Sequence, residues 1–419
     1  MPSTFLFPKL YTVLIWSLCL AALISCNEQK SNKANTETDE ELRKKADELA
    51  HKYIITDGHI DLPYRLRNKM EDVSQRTESG EFDYVRAKEG GLDAPFMSIY
   101  VSSSYQKSGG AKAVADSLID MVVKLTADHP DKFALANSPA EVEQNVEQGK
   151  ISFPMGMENG APLEEKLENV AYFHGRGIRY ITLTHGKDNF ICDSSYDTTR
   201  TWNGVSPMGK QVIAEMNRVG IMVDVSHISD SSFYQVMELS KAPVIASHSS
   251  CRHFTPGFER NMTDDMIKLM ASKGGVIQIN FGSTFVDSAS RKQGDVNNKH
   301  VADWIKENNL TPDDPKVEAY EEEYMKQHTR LSDVSVVADH IDHVVKLAGI
   351  DYVGFGSDFD GVGPTLPKGL SDVSFYPNLI YHLLKRGYSE DDIRKICYAN
   401  VFRVWNEVER IAKESQQKS

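Results

Sequence analysis

Cysteine is scarce in this chain. Of 419 residues five are Cys, and two of these, Cys19 and Cys26, sit in or beside an apolar N-terminal run. The other three, Cys192, Cys251 and Cys397, are widely spaced and odd in number, so at most one disulfide can form among them. A disulfide-stapled scaffold is excluded. Basic charge is also short. The 47 Lys and Arg against 60 Asp and Glu leave a net charge of −13, which argues against nucleic acid as a partner. Neither sign gathers into a block long enough to make a charged tail. No Gly-rich fingerprint of the dinucleotide or phosphate-loop type follows any early apolar run, which weakens an open nucleotide-binding sheet. What remains is ordinary globular composition, 40% hydrophobic and 26% charged, ample for a large core.

Residues 5–24 form one long hydrophobic run with Lys9 as its only charge, closing on Leu23-Ile24-Ser25-Cys26. An apolar core followed by a small residue and then Cys reads as a signal peptide over 1–25, cut before Cys26, whose thiol then carries a lipid. An uncleaved membrane helix is the competing reading, because the run is near the length needed to span. The expected location is a bacterial cell envelope, with the chain a lipoprotein anchored to a membrane at Cys26. Residues 26–37 are polar and read as a flexible tether. The folded domain is expected over 38–419. It starts with a helix: Thr38-x-x-Glu41 fits a capping box, and Leu42, Ala46, Leu49 and Tyr53 recur at helical spacing.

Eight short apolar runs follow, at 54–61, 94–101, 151–158, 178–185, 220–227, 242–249, 275–281 and 352–358. Amphipathic segments separate them, which predicts parallel βαβ units. Eight such units favour a closed (β/α)8 TIM-type barrel over an open sheet. One connection is too long for a plain loop: residues 283–333, a highly charged insertion between the seventh and eighth strands, read as a solvated helical arm or a lid over the barrel mouth.

The strand ends carry the chemistry. The first ends in His59-Ile60-Asp61, the third in Glu158, the fourth in His185, the fifth in His227, the sixth in His248 and the eighth in Asp358-Phe359-Asp360. Strand parity puts His185 with Ile181 and Leu183, His227 with Val223 and Val225, and His248 with Val244 and Ala246, so all three are expected to point inward. Six ionisable ends converging on one mouth would bury unpaired charge at high cost, which a bound cation removes. The set exceeds what one zinc ion needs and fits two ions about 3.5–4 Å apart, with Glu158 as the bridge. Zinc suits His and carboxylate ligands, and manganese or cobalt stay open. Water bound there becomes a hydroxide near neutral pH, which points to hydrolysis of an amide or ester.

At these residues the chain resembles the membrane dipeptidase family, the renal dipeptidase-like metallopeptidases. The motifs are Asp57-Gly58-His59-Ile60-Asp61, Gly156-Met157-Glu158, Leu183-Thr184-His185, Asp224-Val225-Ser226-His227, Ser247-His248-Ser249-Ser250, Arg260-Asn261 and the run from Gly354 to Gly361. The resemblance covers about residues 54–408 and implies a metallo-dependent hydrolase-like barrel with two zinc ions that cleaves dipeptides. It implies His59 and Asp61 as ligands of one zinc, His227 and His248 as ligands of the other, and Glu158 between them. It implies that His185 binds substrate and steadies the oxyanion, that Arg260 holds the substrate carboxylate, and that Asp358 passes a proton to the leaving amine. The alternative is another binuclear amidohydrolase acting on an ester, lactone or N-acyl substrate. Asp57 and Asp224 are candidate supports for the ligands, Asp360 is read as structural, and His340 and His343 as packing or surface groups. His253 is given no role. The long 283–333 segment and Gly282, where animal members are expected to carry Tyr, both flank the mouth and bear on specificity. Oligomeric state is open, a homodimer included.

Overall fold

The computed structural model describes residues 37–310 and 314–417. The expected signal peptide, the lipid attachment at Cys26 and nearly all of the expected tether lie outside the described residues. Among the described residues no helix is long and apolar enough to cross a membrane.

The opening helix, Asp39–Lys52, buries Leu42, Ala46 and Leu49 of the face its spacing predicts, and Ala50 as well; Tyr53 lies just past its end and is half-buried. It packs on the helix Tyr376–Lys385, where Arg43 lies 4.0 Å over the Tyr381 ring. The strands are β1 (Ile55–Ile60), β2 (Leu92–Tyr100), β3 (Phe133–Leu135), β4 (Ile151–Phe153), β5 (Met155–Glu158), β6 (Ile178–Thr182), β7 (Met222–Asp224), β8 (Ile245–Ala246), β9 (Val276–Ile279) and β10 (Val353–Phe355). Eight of them close a parallel barrel in the order β1, β2, β5, β6, β7, β8, β9, β10 and back to β1. All eight expected runs contribute one strand each to the barrel.

Two expectations need correction. The run 151–158 is two strands: β4 leaves the barrel to pair with β3 in a two-stranded sheet, with Phe133 opposite Ile151. Pro154 separates them, and it has no N–H to continue a ladder. The strands are also shorter than the apolar runs. β7 stops at Asp224 and β8 at Ala246, so His227 and His248 stand beyond the ladder. His227 has φ 69° and Asp358 φ 64°, left-handed backbone that a strand parity argument does not cover. They reach the mouth through turns.

The insertion is a helical hairpin, Ser288–Glu307 and Pro315–His328, after a short helix Ser283–Val286. Its helices are joined by rings: Trp304 stacks on Tyr320 at 3.9 Å and His300 on Tyr324 at 4.2 Å. The C-terminal stretch closes the barrel base. Asn400 Nδ2 donates to Ile350 O at 2.7 Å and Val353 O at 2.8 Å, fixing the entry to β10. Cys192, Cys251 and Cys397 are all buried free thiols.

Candidate metal centre

Two buried carboxylates satisfy the backbone at the ends of β1, β7, β8 and β10. Asp57 accepts from His59 N at 2.9 Å, from Ser357 N at 3.0 Å and from the Tyr376 hydroxyl, tying the end of β1 to the end of β10. Asp224 accepts from Ser226 N at 3.0 Å, Ser247 N at 2.8 Å, Thr182 Oγ1 at 2.5 Å and Ser247 Oγ at 2.6 Å, tying β6, β7 and β8 together. Both carboxylates bond backbone and hydroxyl groups at the strand ends; of the two, Asp224 reaches a histidine ring, that of His248, through the Ser247 hydroxyl.

The result is a tight cluster around Glu158. Its Oε2 lies 3.4 Å from His59 Nε2. Its Oε1 lies 3.1 Å from His227 Nε2, 3.4 Å from His248 Nε2 and 3.6 Å from His185 Nε2. Asp61 Oδ2 is 3.4 Å from His59 Nε2, and His227 and His248 bring their Nε2 atoms within 2.9 Å of each other. Asp358 joins His59 and Asp61 in a group with ligand atoms close enough to share one ion. All but His185 are buried; 26% of its side chain is exposed, so it faces the opening.

Two features fit metal ions. A tetrahedral ion with ligands at about 2.0–2.1 Å spaces its donor atoms roughly 3.3–3.4 Å apart, and the His59–Asp61, His59–Glu158 and His248–Glu158 pairs, each at 3.4 Å, match that spacing. Two of the donors also lack a partner: His59 Nε2 and Asp61 Oδ1 are buried without a hydrogen bond. Unsatisfied buried groups of this kind are costly. The imidazole tautomers agree. Ser247 Oγ spends its proton on Asp224, so it accepts from His248 Nδ1 at 2.7 Å, leaving the His248 Nε2 lone pair toward Glu158. His59 Nδ1 meets the Tyr180 hydroxyl at 2.7 Å, leaving its Nε2 toward the carboxylates.

Without metal the site stores protons. Burial works against a charged His59, yet Tyr180, Asp61 and Glu158 outweigh it and raise its pKa well above the ordinary value. Burial lifts the Asp358 carboxyl well above the usual range, and neighbouring Asp61 and Glu158 add to it. His227 and His248 are pushed well below the ordinary value by burial, with Arg260 adding to it in both. Burial would raise Glu158, but the histidines around it hold it well below.

A cavity of about 440 Å³ opens on this cluster, walled by Asp61, Glu158, His185, His227 and Asp358 together with aromatic residues. Tyr100, at the end of β2, lines it; its ring is 4.9 Å from that of His185. Asn280, just past β9, donates to Asp358 Oδ2 at 2.7 Å. So the two strands that carry no ionisable ligand also deliver to the mouth. Sequence reading missed Tyr100, Tyr180 and the bond from Asn280, because an aromatic or amide carries no charge to flag it. Arg260 is buried behind the wall. It donates to Ser249 Oγ at 2.7 Å and His248 O at 2.8 Å, and its guanidinium lies 5.6 Å from the ring of Phe285, which lines the cavity. Asp360 also lines the cavity, held by Arg65 Nη1 at 3.0 Å and Glu81 N at 2.6 Å. His340 donates or accepts only within the packing, at Cys251 N and Val286 O, while His343 bonds Asp264 at 2.8 Å and stacks on His253. A Cβ on Gly282 would meet Phe285 Cδ2 at 2.9 Å and Val362 Cγ1 at 3.0 Å, two cavity-lining side chains.

The sequence profile of the membrane dipeptidases, peptidase family M19, matches residues 43–419. The chain belongs to this family. An uncharacterized dipeptidase of Schizosaccharomyces pombe is 30% identical over 377 residues, covering 86% of this chain and 82% of that protein. Among solved structures, the probable dipeptidase PvdM from Pseudomonas aeruginosa is 26% identical with a TM-score of 0.77, covering 89% of this chain and 100% of that one. A metallopeptidase from Rhodobacter sphaeroides, liganded with a phosphinate mimic of the dipeptide L-Ala-D-Ala, is 25% identical with a TM-score of 0.70, covering 85% and 99%. As an M19 dipeptidase the chain is a metallo-dipeptidase, a hydrolase on a (β/α)8 barrel.

Proposed function

We propose that this dipeptidase hydrolyses the peptide bond of dipeptides with two zinc ions, held by His59 and Asp61 on one side and His227 and His248 on the other, with Glu158 between. The observation that carries it is the split of Glu158, one oxygen toward His59 and the other toward His227 and His248. The dipeptide mimic bound to the Rhodobacter sphaeroides relative supports the substrate class. Bound zinc supplies a water acidic near neutrality and a Lewis acid for the scissile carbonyl.

The chain's own residues do the rest. His185, partly exposed and lowered in pKa chiefly by burial, is neutral and donates to charge developing on the carbonyl oxygen. Asp358 stands beside the cluster, placed to hand a proton to the leaving amine, with Asn280 donating to its Oδ2. Arg260 is the partner proposed for the substrate's carboxylate, reached by turning its guanidinium from Ser249 Oγ and His248 O toward the cavity beside Phe285. The N-terminal run and Cys26 make the chain a lipoprotein of a bacterial envelope, which mass spectrometry of the mature N-terminus tests.

Metal analysis of the purified protein with a dipeptide panel, set beside ester, lactone and N-acyl substrates, tests the reading. The expected result is two metals per chain and dipeptide turnover that chelation abolishes. Fewer than two metals in the active protein, or turnover of the other substrates alone, overturns it. His59→Ala is expected to lose one metal and the activity while keeping the fold by circular dichroism.

A further inference from the structure

A second cavity, of about 680 Å³, adjoins the catalytic one and shares three of its wall residues, Tyr64, Gly361 and Val362. Its outer wall belongs to the inserted hairpin, through Arg291, Glu321 and Arg330 among others. The hairpin is anchored where the two cavities meet. Ser332 N donates to Ser283 Oγ at 2.9 Å, closing the two ends of the insertion on each other. Ser283 N in turn donates to Thr365 O at 2.7 Å, fixing the insertion to the loop that carries Gly361 and Val362. Inside the hairpin, Asn297 Nδ2 donates to His328 O at 3.1 Å, and the Trp304–Tyr320 stack holds the helices together. The insertion is therefore a fixed wall.

The chemistry of this wall is biased. Two guanidiniums face one carboxylate. Arg291 is engaged, paired with Asp295 at 2.8 Å and lying 4.0 Å over Phe258. Arg330 is weakly held: its nearest acid, Asp287, is 3.6 Å away, and 62% of its side chain is exposed. A surface pair of this kind contributes little, so the Arg330 guanidinium can turn to another anion at small cost.

We propose that the second cavity is a specificity subsite that receives a substrate side chain passing over Tyr64 and Val362, and that Arg330 selects acidic side chains over basic ones. This rests on the dipeptidase reading above and adds the substrate class. A substrate limited to small side chains fills the catalytic cavity alone. A glutamyl side chain reaches past it and meets the arginine-bearing wall, where a lysyl side chain meets repulsion offset in part by Glu321.

The test is a matched set of dipeptides on the zinc-loaded full chain: Ala-Ala, Glu-Ala, Lys-Ala, Ala-Glu and Ala-Lys. The readout is the ratio of kcat/KM for the acidic over the basic partner at each position, which does not depend on the fraction of active enzyme. The expected ratio is about tenfold at one position, shrinking as salt is raised. Arg330→Glu is expected to bring that ratio to unity or below, and Glu321→Lys to increase it. A flat ratio, or one that neither substitution moves, overturns the subsite while leaving the dipeptidase standing. Failure to cleave any of the five, Ala-Ala included, overturns the dipeptidase reading and the subsite with it.

Discussion

Ser247 fixes the tautomer of His248. Its hydroxyl donates to Asp224 Oδ2 at 2.6 Å and lies 2.7 Å from His248 Nδ1, so the imidazole must be the donor there and its Nε2 must carry the lone pair. Ser247→Ala removes the acceptor and frees the ring. Metal affinity is expected to fall by about 10- to 100-fold, read as metal retained against a graded series of chelators. Thr182→Val is the control. It removes another donor to Asp224, at 2.5 Å, without touching His248. It is expected to cost about 1–3 kcal/mol of stability and to leave metal retention near that of the parent.

Glu158 is the residue whose loss should be felt on both sides of the site. Glu158→Gln replaces one anionic oxygen by an amide that faces either His59 or the His227–His248 pair, whichever way it turns. The expected result is a drop from two metals to one or none, with kcat/KM lower by more than about 100-fold. Metal analysis and a coupled dipeptide assay measure both. Two retained metals in the variant would show that the bridge is not Glu158.

Much of this is legible in the sequence alone. The eight apolar runs, six of them closing on an ionisable group, are enough to place the barrel and its mouth, because period and strand-end chemistry are local. Two things were not local. Asp358 adopts positive φ just past Ser357, whose N donates to Asp57, and Asp224 ties β7 to β8 by accepting from Ser247 N, pairings only the closed barrel creates. Likewise Tyr180 sits mid-strand with no sign that its hydroxyl meets His59, because that contact spans 121 positions. The hairpin of the insertion was hidden by its charge: its joining rings, Trp304, Tyr320, His300 and Tyr324, lie among Lys and Glu, so the charge masked the stack.

Metal loading should release protons. A zinc ligand imidazole must be neutral, and His59 is held protonated in the metal-free site by Tyr180, Asp61 and Glu158 against its burial. His227 and His248, pushed down mainly by burial, have no proton to give at neutral pH. Titrating the apoprotein with zinc at pH 7 is therefore expected to release about one proton for the ion that His59 binds, and fewer in His59→Ala. Calorimetry in buffers of different ionisation enthalpy counts them. No release on loading would contradict the charged His59.

The last relationship lies behind the Asp358 turn and sets a pH dependence of stability. Asp360 N donates to Glu81 Oε2 at 2.7 Å, and Glu81 N donates to Asp360 Oδ1 at 2.6 Å. Burial, with the Asp360 carboxylate alongside, pushes Glu81 from its ordinary 4.5 up to about 9. The folded chain therefore holds a proton on Glu81 that the unfolded chain gives up. Between about pH 4.5 and 9 the native state binds more protons at this residue than the unfolded state does, so its contribution to stability declines as pH rises. Glu81→Gln keeps the shape, accepts from Asp360 N and donates to its carboxylate without titrating. The variant is expected to match the parent near pH 5 and to exceed it increasingly toward pH 9, read as the difference in Tm across that range. A difference that stays constant with pH would place the proton elsewhere.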